Sequence, residues 1–162
     1  MIPILVDFLF TSGLTLGVGS STFALIFYIR ALEDGTIDPS EKKFMHTVYF
    51  VLRIGMVLIT LGLLGKLYDG SYALITKAYH IQWALMAIIL VNAILMTYKK
   101  MPMQIGPVLA GGSWYSLFFV TALPLATLPY GALACFYIIF LTFFFMVYRY
   151  LRCRYAKLCD WI

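Results

Sequence analysis

Residues 101–148 read MPMQIGPVLAGGSWYSLFFVTALPLATLPYGALACFYIIFLTFFFMVY, 48 positions without one charged side chain. One membrane crossing takes about 20 apolar residues. The run is too long for one crossing and long enough for two. Its break falls at PLATLPYG, residues 124–131, where two prolines lack the amide hydrogen a helix needs and a glycine weakens what remains. The run therefore divides into helices over roughly 106–123 and 131–150.

Three more neutral runs precede it. Asp7 to Arg30 encloses 22 uncharged residues, Lys43 to Lys66 encloses 22 with Arg53 among them, and Lys77 to Lys99 encloses 21. Each is long enough for one crossing. The reading is all-α: a polytopic bundle of five transmembrane helices in one domain, residues 1–162, with helices near 3–29, 44–65, 78–98, 106–123 and 131–150. The opening MIPILVDFLF has no basic leader and carries Asp7, so it is expected to start the first helix rather than to be a cleaved signal.

Composition agrees. Hydrophobic residues make up 63% of the chain and charged residues 12%, and mean hydropathy is +0.93. A soluble domain carries about 25% charged residues. This chain needs lipid as its solvent.

Lys and Arg set the orientation. Five spans put Arg30, Lys42, Lys43, Lys99, Lys100, Arg149, Arg152, Arg154 and Lys157 on one side, against Lys66 and Lys77 on the other. Nine against two places the N-terminus outside and the C-terminus in the cytoplasm, in an inner membrane. The net charge of +5 then faces the cytoplasm, where it meets anionic headgroups and not nucleic acid.

The polar loop RALEDGTIDPSEKKFMH, residues 30–46, resembles half of a calcium loop. With Gly35 at position 6, Asp38 and Glu41 fall on ligand positions 9 and 12, but Arg30 and Leu32 occupy positions 1 and 3. Capping uses every residue instead. Gly35 ends one helix, Asp38 caps the next, Pro39 takes its first position and Glu41 its third. Asp34, Asp38 and Glu41 remain weak metal candidates, and no metal site is expected.

Arg53 is the one mid-span charge, ten residues past Lys43, or about 15 Å along a helix. Asn92, Ser20, Ser21 and Ser113 fall at a similar depth when each helix is measured from its cytoplasmic end. They are expected to form a polar layer around Arg53. A structural tie and an anchor for a small anionic ligand are the two readings of that layer. No carboxylate lies at that depth, which favours the anchor.

His46 and His80 sit at opposite ends of their spans and cannot share one haem. Each is a weak candidate for single ligation, and no cofactor is expected. Cys135, Cys153 and Cys159 fit no metal spacing, and the last two are expected to be reduced cytoplasmic thiols. Gly13, Gly17 and Ser21 repeat at four-residue spacing, as do Gly55, Ile59 and Leu63, which suits close helix packing. Gly62 and Gly65 are expected to loosen the outer end of the second helix. Tyr68, Tyr79, Trp83, Tyr148 and Tyr150 are expected at the membrane interfaces.

GLTLGVGSSTFALIFY, the acidic turn after it and the helix bearing VLRIGM, together residues 13–65, resemble small bacterial inner-membrane proteins of the copper-resistance D-like group. The resemblance implies a polytopic helical fold. The helix-borne histidines of metal-binding members are absent here, so no metal function comes with it.

No catalytic dyad or nucleotide-binding glycine loop is present, so a non-enzymatic role is expected. The leading reading is binding or transport of a small anionic or amphiphilic ligand. The alternatives are an accessory subunit of a larger membrane complex, for example a respiratory one, and a haem- or quinone-binding electron-transfer component. The partners are then the lipid bilayer, a small anionic ligand or lipid, and further membrane subunits or a second copy.

Overall fold

The computed structural model describes residues 2–31, 39–68, 77–98, 100–101, 105–123 and 128–156. Backbone amides in hydrocarbon have no water to bond, so each segment closes its own bonds as a helix. Five helices result: α1 (Ile2–Ala31), α2 (Pro39–Tyr68), α3 (Lys77–Thr97), α4 (Gly106–Ala122) and α5 (Tyr130–Ala156). No strand occurs among the described residues.

Four of them, α1, α2, α3 and α5, are long and apolar enough to cross a membrane. α4 is shorter, at 17 residues. α2 begins at Pro39, the first helical position expected for it. Asp38 and Gly35 lie outside the described residues. α5 runs on through Arg149 and Arg154 to Ala156, past the expected end near 150. Charge marks where a chain leaves lipid, not where its backbone bonds stop.

α1 and α2 form an antiparallel pair with backbone against backbone. A Cβ on Gly13 would lie 2.7 Å from the Ile59 amide nitrogen and 2.8 Å from the Gly55 oxygen. A Cβ on Gly62 would lie 2.9 Å from the Phe10 nitrogen. Such approaches are what small residues permit in lipid, where apolar side chains gain nothing by leaving the solvent. Gly62 and Gly65 thus do not loosen α2. They receive Phe10 and Val6 of α1. At the same end Lys66 Nζ meets Asp7 Oδ1 at 3.3 Å and sits 4.2 Å from the centre of the Phe10 ring.

α4 is the hub, packed against α1, α3 and α5. Its Trp114 is fully buried, and the ring lies against the Gly17 backbone of α1. The main core gathers Phe10 and Leu14, Met56, Ile59 and Leu63, Met86 and Ile89, and Trp114 and Leu117 from α1 to α4. A second cluster joins Tyr28 of α1, Val108 of α4 and Tyr148 of α5.

Two of the aromatics expected at the interface, Tyr79 and Tyr148, are buried between helices. Tyr148 stacks on Tyr28 with centroids 6.0 Å apart. Tyr79 is 6% exposed and donates its hydroxyl to the Leu63 carbonyl of α2 at 3.1 Å. An amphipathic ring suits a headgroup layer and a partly polar core alike, so residue type alone does not separate them.

Candidate functional site

Asn92 projects from the last third of α3 toward the start of α4. Its Nδ2 donates to the Gly106 carbonyl at 3.0 Å. The approach is close because position 106 has no side chain: a Cβ there would lie 2.9 Å from Met96 sulfur. Asn92 is 2% exposed, and its Oδ1 has no hydrogen-bond donor among the described residues. The carbonyl partner fixes the amide orientation, since only the NH₂ group can donate to it. The unsatisfied atom is therefore an acceptor.

That residue lines a cavity of about 250 Å³ between α3 and α4, together with Ala87, Ile88, Val91 and Leu95 of α3, Met101 of the connecting segment and Leu109 of α4. Asn92 is the one polar side chain in this lining. An apolar recess with one unpaired buried acceptor offers a defined chemistry. A hydrocarbon body with one hydrogen-bond donor would complement it.

The other expected site residues lie elsewhere. Ser113 is fully buried, with its hydroxyl 2.8 Å from Tyr137 OH of α5. Ser21 turns back to the Val18 carbonyl of its own helix at 2.9 Å. Ser20 is buried in α1. All three share the interior with Asn92, but no hydrogen bond among the described residues joins any of them to it or to one another.

Arg53 is not at the centre of a layer. It is exposed, on the face of α2 turned away from α1 and the core. No hydrogen bond or ion pair among the described residues reaches its guanidinium. The expected polar layer around Arg53 is thus replaced by separate inter-helix pairs. One is Thr22 Oγ1 with Tyr115 OH at 2.8 Å, and another is Gln82 Nε2 donating to Thr121 Oγ1 at 3.2 Å. Tyr115, Tyr137 and Gln82 were not expected to contribute. Their common signal is a group able to bond across helices at a position facing a hydroxyl, and sequence does not display facing.

No group of three His, Cys, Asp or Glu side chains able to hold a metal occurs among the described residues. His46 is exposed near the start of α2, and His80 is exposed near the start of α3, edge-on to Tyr79 at 6.5 Å. Asp34 and Asp38 lie outside the described residues, as does the side chain of Glu41. Cys135 is free and exposed on α5. Cys153 is disulfide-bonded, where a reduced thiol was expected.

No protein-family model, curated protein or solved structure matches the chain.

Proposed function

We propose that this chain is a non-enzymatic multi-pass membrane protein that takes an amphiphile from the bilayer into the α3–α4 recess. The carrying observation is that Asn92, whose buried Oδ1 has no donor among the described residues, is the one polar residue lining an otherwise apolar recess. The polarity of that atom changes the expected ligand. An amide oxygen repels an anion and welcomes a donor, so the head is a neutral hydroxyl or N–H group rather than a carboxylate. Arg53 takes no part, because it faces outward.

A long-chain alcohol and its parent alkane, both radiolabelled, test this by equilibrium binding to the purified protein. The alcohol is expected to bind about five- to tenfold more tightly, the worth of one hydrogen bond near 1 kcal/mol. Asn92→Leu should erase that difference. Equal binding of the two probes by the wild-type protein would end the proposal.

The five-span reading rests on the central place of α4. At 17 residues it reaches about 25 Å, slightly under the hydrocarbon thickness of about 30 Å, and its neighbours cover it on three sides. The shared cluster of Tyr28, Val108 and Tyr148 brings the end of α1, the start of α4 and the end of α5 together, which is the arrangement five alternating crossings require. The Lys and Arg bias then puts this end, and the C-terminus, in the cytoplasm of a bacterial-type inner membrane.

A reducing cytoplasm would open the Cys153 disulfide. In a Cys135→Ser background, a membrane-permeant maleimide should label intact cells and an impermeant one should not. Labelling by neither reagent, as a disulfide kept closed outside the cell would give, or labelling by the impermeant one, would reverse the orientation.

A second reading, an accessory subunit, is favoured by the outward side of α5. Ile138, Ile139, Phe143 and Met146 are all exposed there.

A further inference from the structure

One outward column runs along α2: His46, Phe50, Arg53, Val57, Leu61 and Leu64, all exposed. The steps of three and four residues place all six on one face. His46 lies near the end of the helix, and Phe50, Val57, Leu61 and Leu64 suit a boundary with hydrocarbon. The guanidinium does not, since a cation against lipid tails is costly unless an anion meets it or it reaches the headgroups.

We propose that Arg53 holds the phosphate of an anionic phospholipid lying along the outer face of α2. Side chains on a helix tilt toward its N-terminus, so the guanidinium is directed to the end of α2 that carries Lys42 and Lys43, both exposed. Those two lysines raise the positive potential at that end, which selects a net-negative headgroup over a zwitterionic one. Phe50, 58% exposed and nearly one turn closer to that end, offers apolar surface beside the lipid glycerol. The planar fork of Arg matches two phosphate oxygens.

The chain's own acids do not serve. They are Asp7, Glu33, Asp34, Asp38, Glu41, Asp69 and Asp160. Of these, Asp7 alone falls within one of the four long apolar spans, and it is paired with Lys66. A second copy of this chain therefore brings no free carboxylate to the depth of Arg53. The inference is independent of the α3–α4 recess.

The test uses bilayer nanodiscs of equal phosphatidylcholine and phosphatidylglycerol, followed by gentle extraction and native mass spectrometry of the lipids retained. Wild-type protein should retain phosphatidylglycerol about fivefold over its bulk ratio, as expected for one basic group near a membrane surface. Arg53→Lys should keep part of that enrichment, and Arg53→Leu should fall to the bulk ratio. Thermal midpoints in phosphatidylcholine alone should be no lower for Arg53→Leu than for wild type, which separates lipid selectivity from folding. Unchanged enrichment in Arg53→Leu would overturn the proposal. So would displacement of the lipid by millimolar inorganic phosphate, which would mean an aqueous anion site. Stoichiometric crosslinking of Arg53→Cys to another protein would overturn it as well, in favour of a subunit interface.

Discussion

Gly17→Leu should leave no folded bundle, and Gly17→Ala should lower the thermal midpoint sharply, while Gly19→Ala two positions away should not. The three substitutions differ in what their new atoms meet. A Cβ on Gly17 would overlap three carbons along the edge of the Trp114 ring. That ring is fully buried. Overpacking a filled core costs about 1–3 kcal/mol even where neighbours can shift, and here the neighbour is a rigid, fully buried indole. Gly19 meets nothing within 4 Å. Alanine there removes a flexible residue from a helix and should be neutral or stabilising by up to about 1 kcal/mol. The measurement is the thermal midpoint of the monodisperse fraction in mild detergent. A double variant sharpens it: Trp114→Leu should be costly alone but should relieve part of the Gly17→Ala penalty, with a coupling of about 1 kcal/mol or more. Equal midpoints for Gly17→Ala and Gly19→Ala would refute the α1–α4 contact itself.

The contrast between those two glycines shows what could be read in advance. The helices were legible because hydrocarbon imposes length and neutrality, and the uncharged runs between Asp7, Arg30, Lys43, Lys66, Lys77 and Lys99 record both. The spacing of Gly13 and Gly17 announced a close approach. It did not say that Gly13 faces the α2 backbone while Gly17 faces an indole of α4.

The facing of Arg53 was illegible for a related reason. In water the core side of a helix is apolar and the outer side polar. In lipid both sides are apolar. Leu52, Met56, Ile59 and Leu63 point inward, while Phe50, Val57, Leu61 and Leu64 point outward, and composition does not separate the two sets. One signal was available. Gly55 and Gly62 mark the face that meets α1. At 3.6 residues per turn, position 53 lies about 160° from position 55 and about 180° from position 62. Small residues, not polar ones, locate the inside of such a helix. Asn92 needed a different kind of information. Its depth was visible from its distance to Lys99, but the missing donor at Oδ1 depends on Gly106 being its one hydrogen-bond partner among the described residues.

Asn92→Leu should raise the thermal midpoint of the ligand-free protein while ending its stabilisation by a long-chain alcohol. The sign follows from comparing two terms. The substitution loses the bond from Nδ2 to the Gly106 carbonyl, worth about 1 kcal/mol. It also deletes a buried acceptor that has no donor among the described residues, whose presence costs about 1–3 kcal/mol. Leucine has nearly the same length and extends the apolar lining of Ile88, Val91, Leu95 and Leu109. The net expectation is a gain of about 1 kcal/mol, or a few degrees for a chain of this size. Asn92→Ala separates the effects, because it deletes the same acceptor but enlarges the cavity, and it should fall below Asn92→Leu by the cost of the extra void. In wild-type protein the alcohol supplies the missing donor and should raise the midpoint with concentration by mass action. In Asn92→Leu that dependence should be flat or match the alkane. A residue kept for folding would give the opposite order, with Asn92→Leu melting below wild type in the absence of ligand. A buried acceptor kept at a cost to stability is instead the mark of a group held for a ligand.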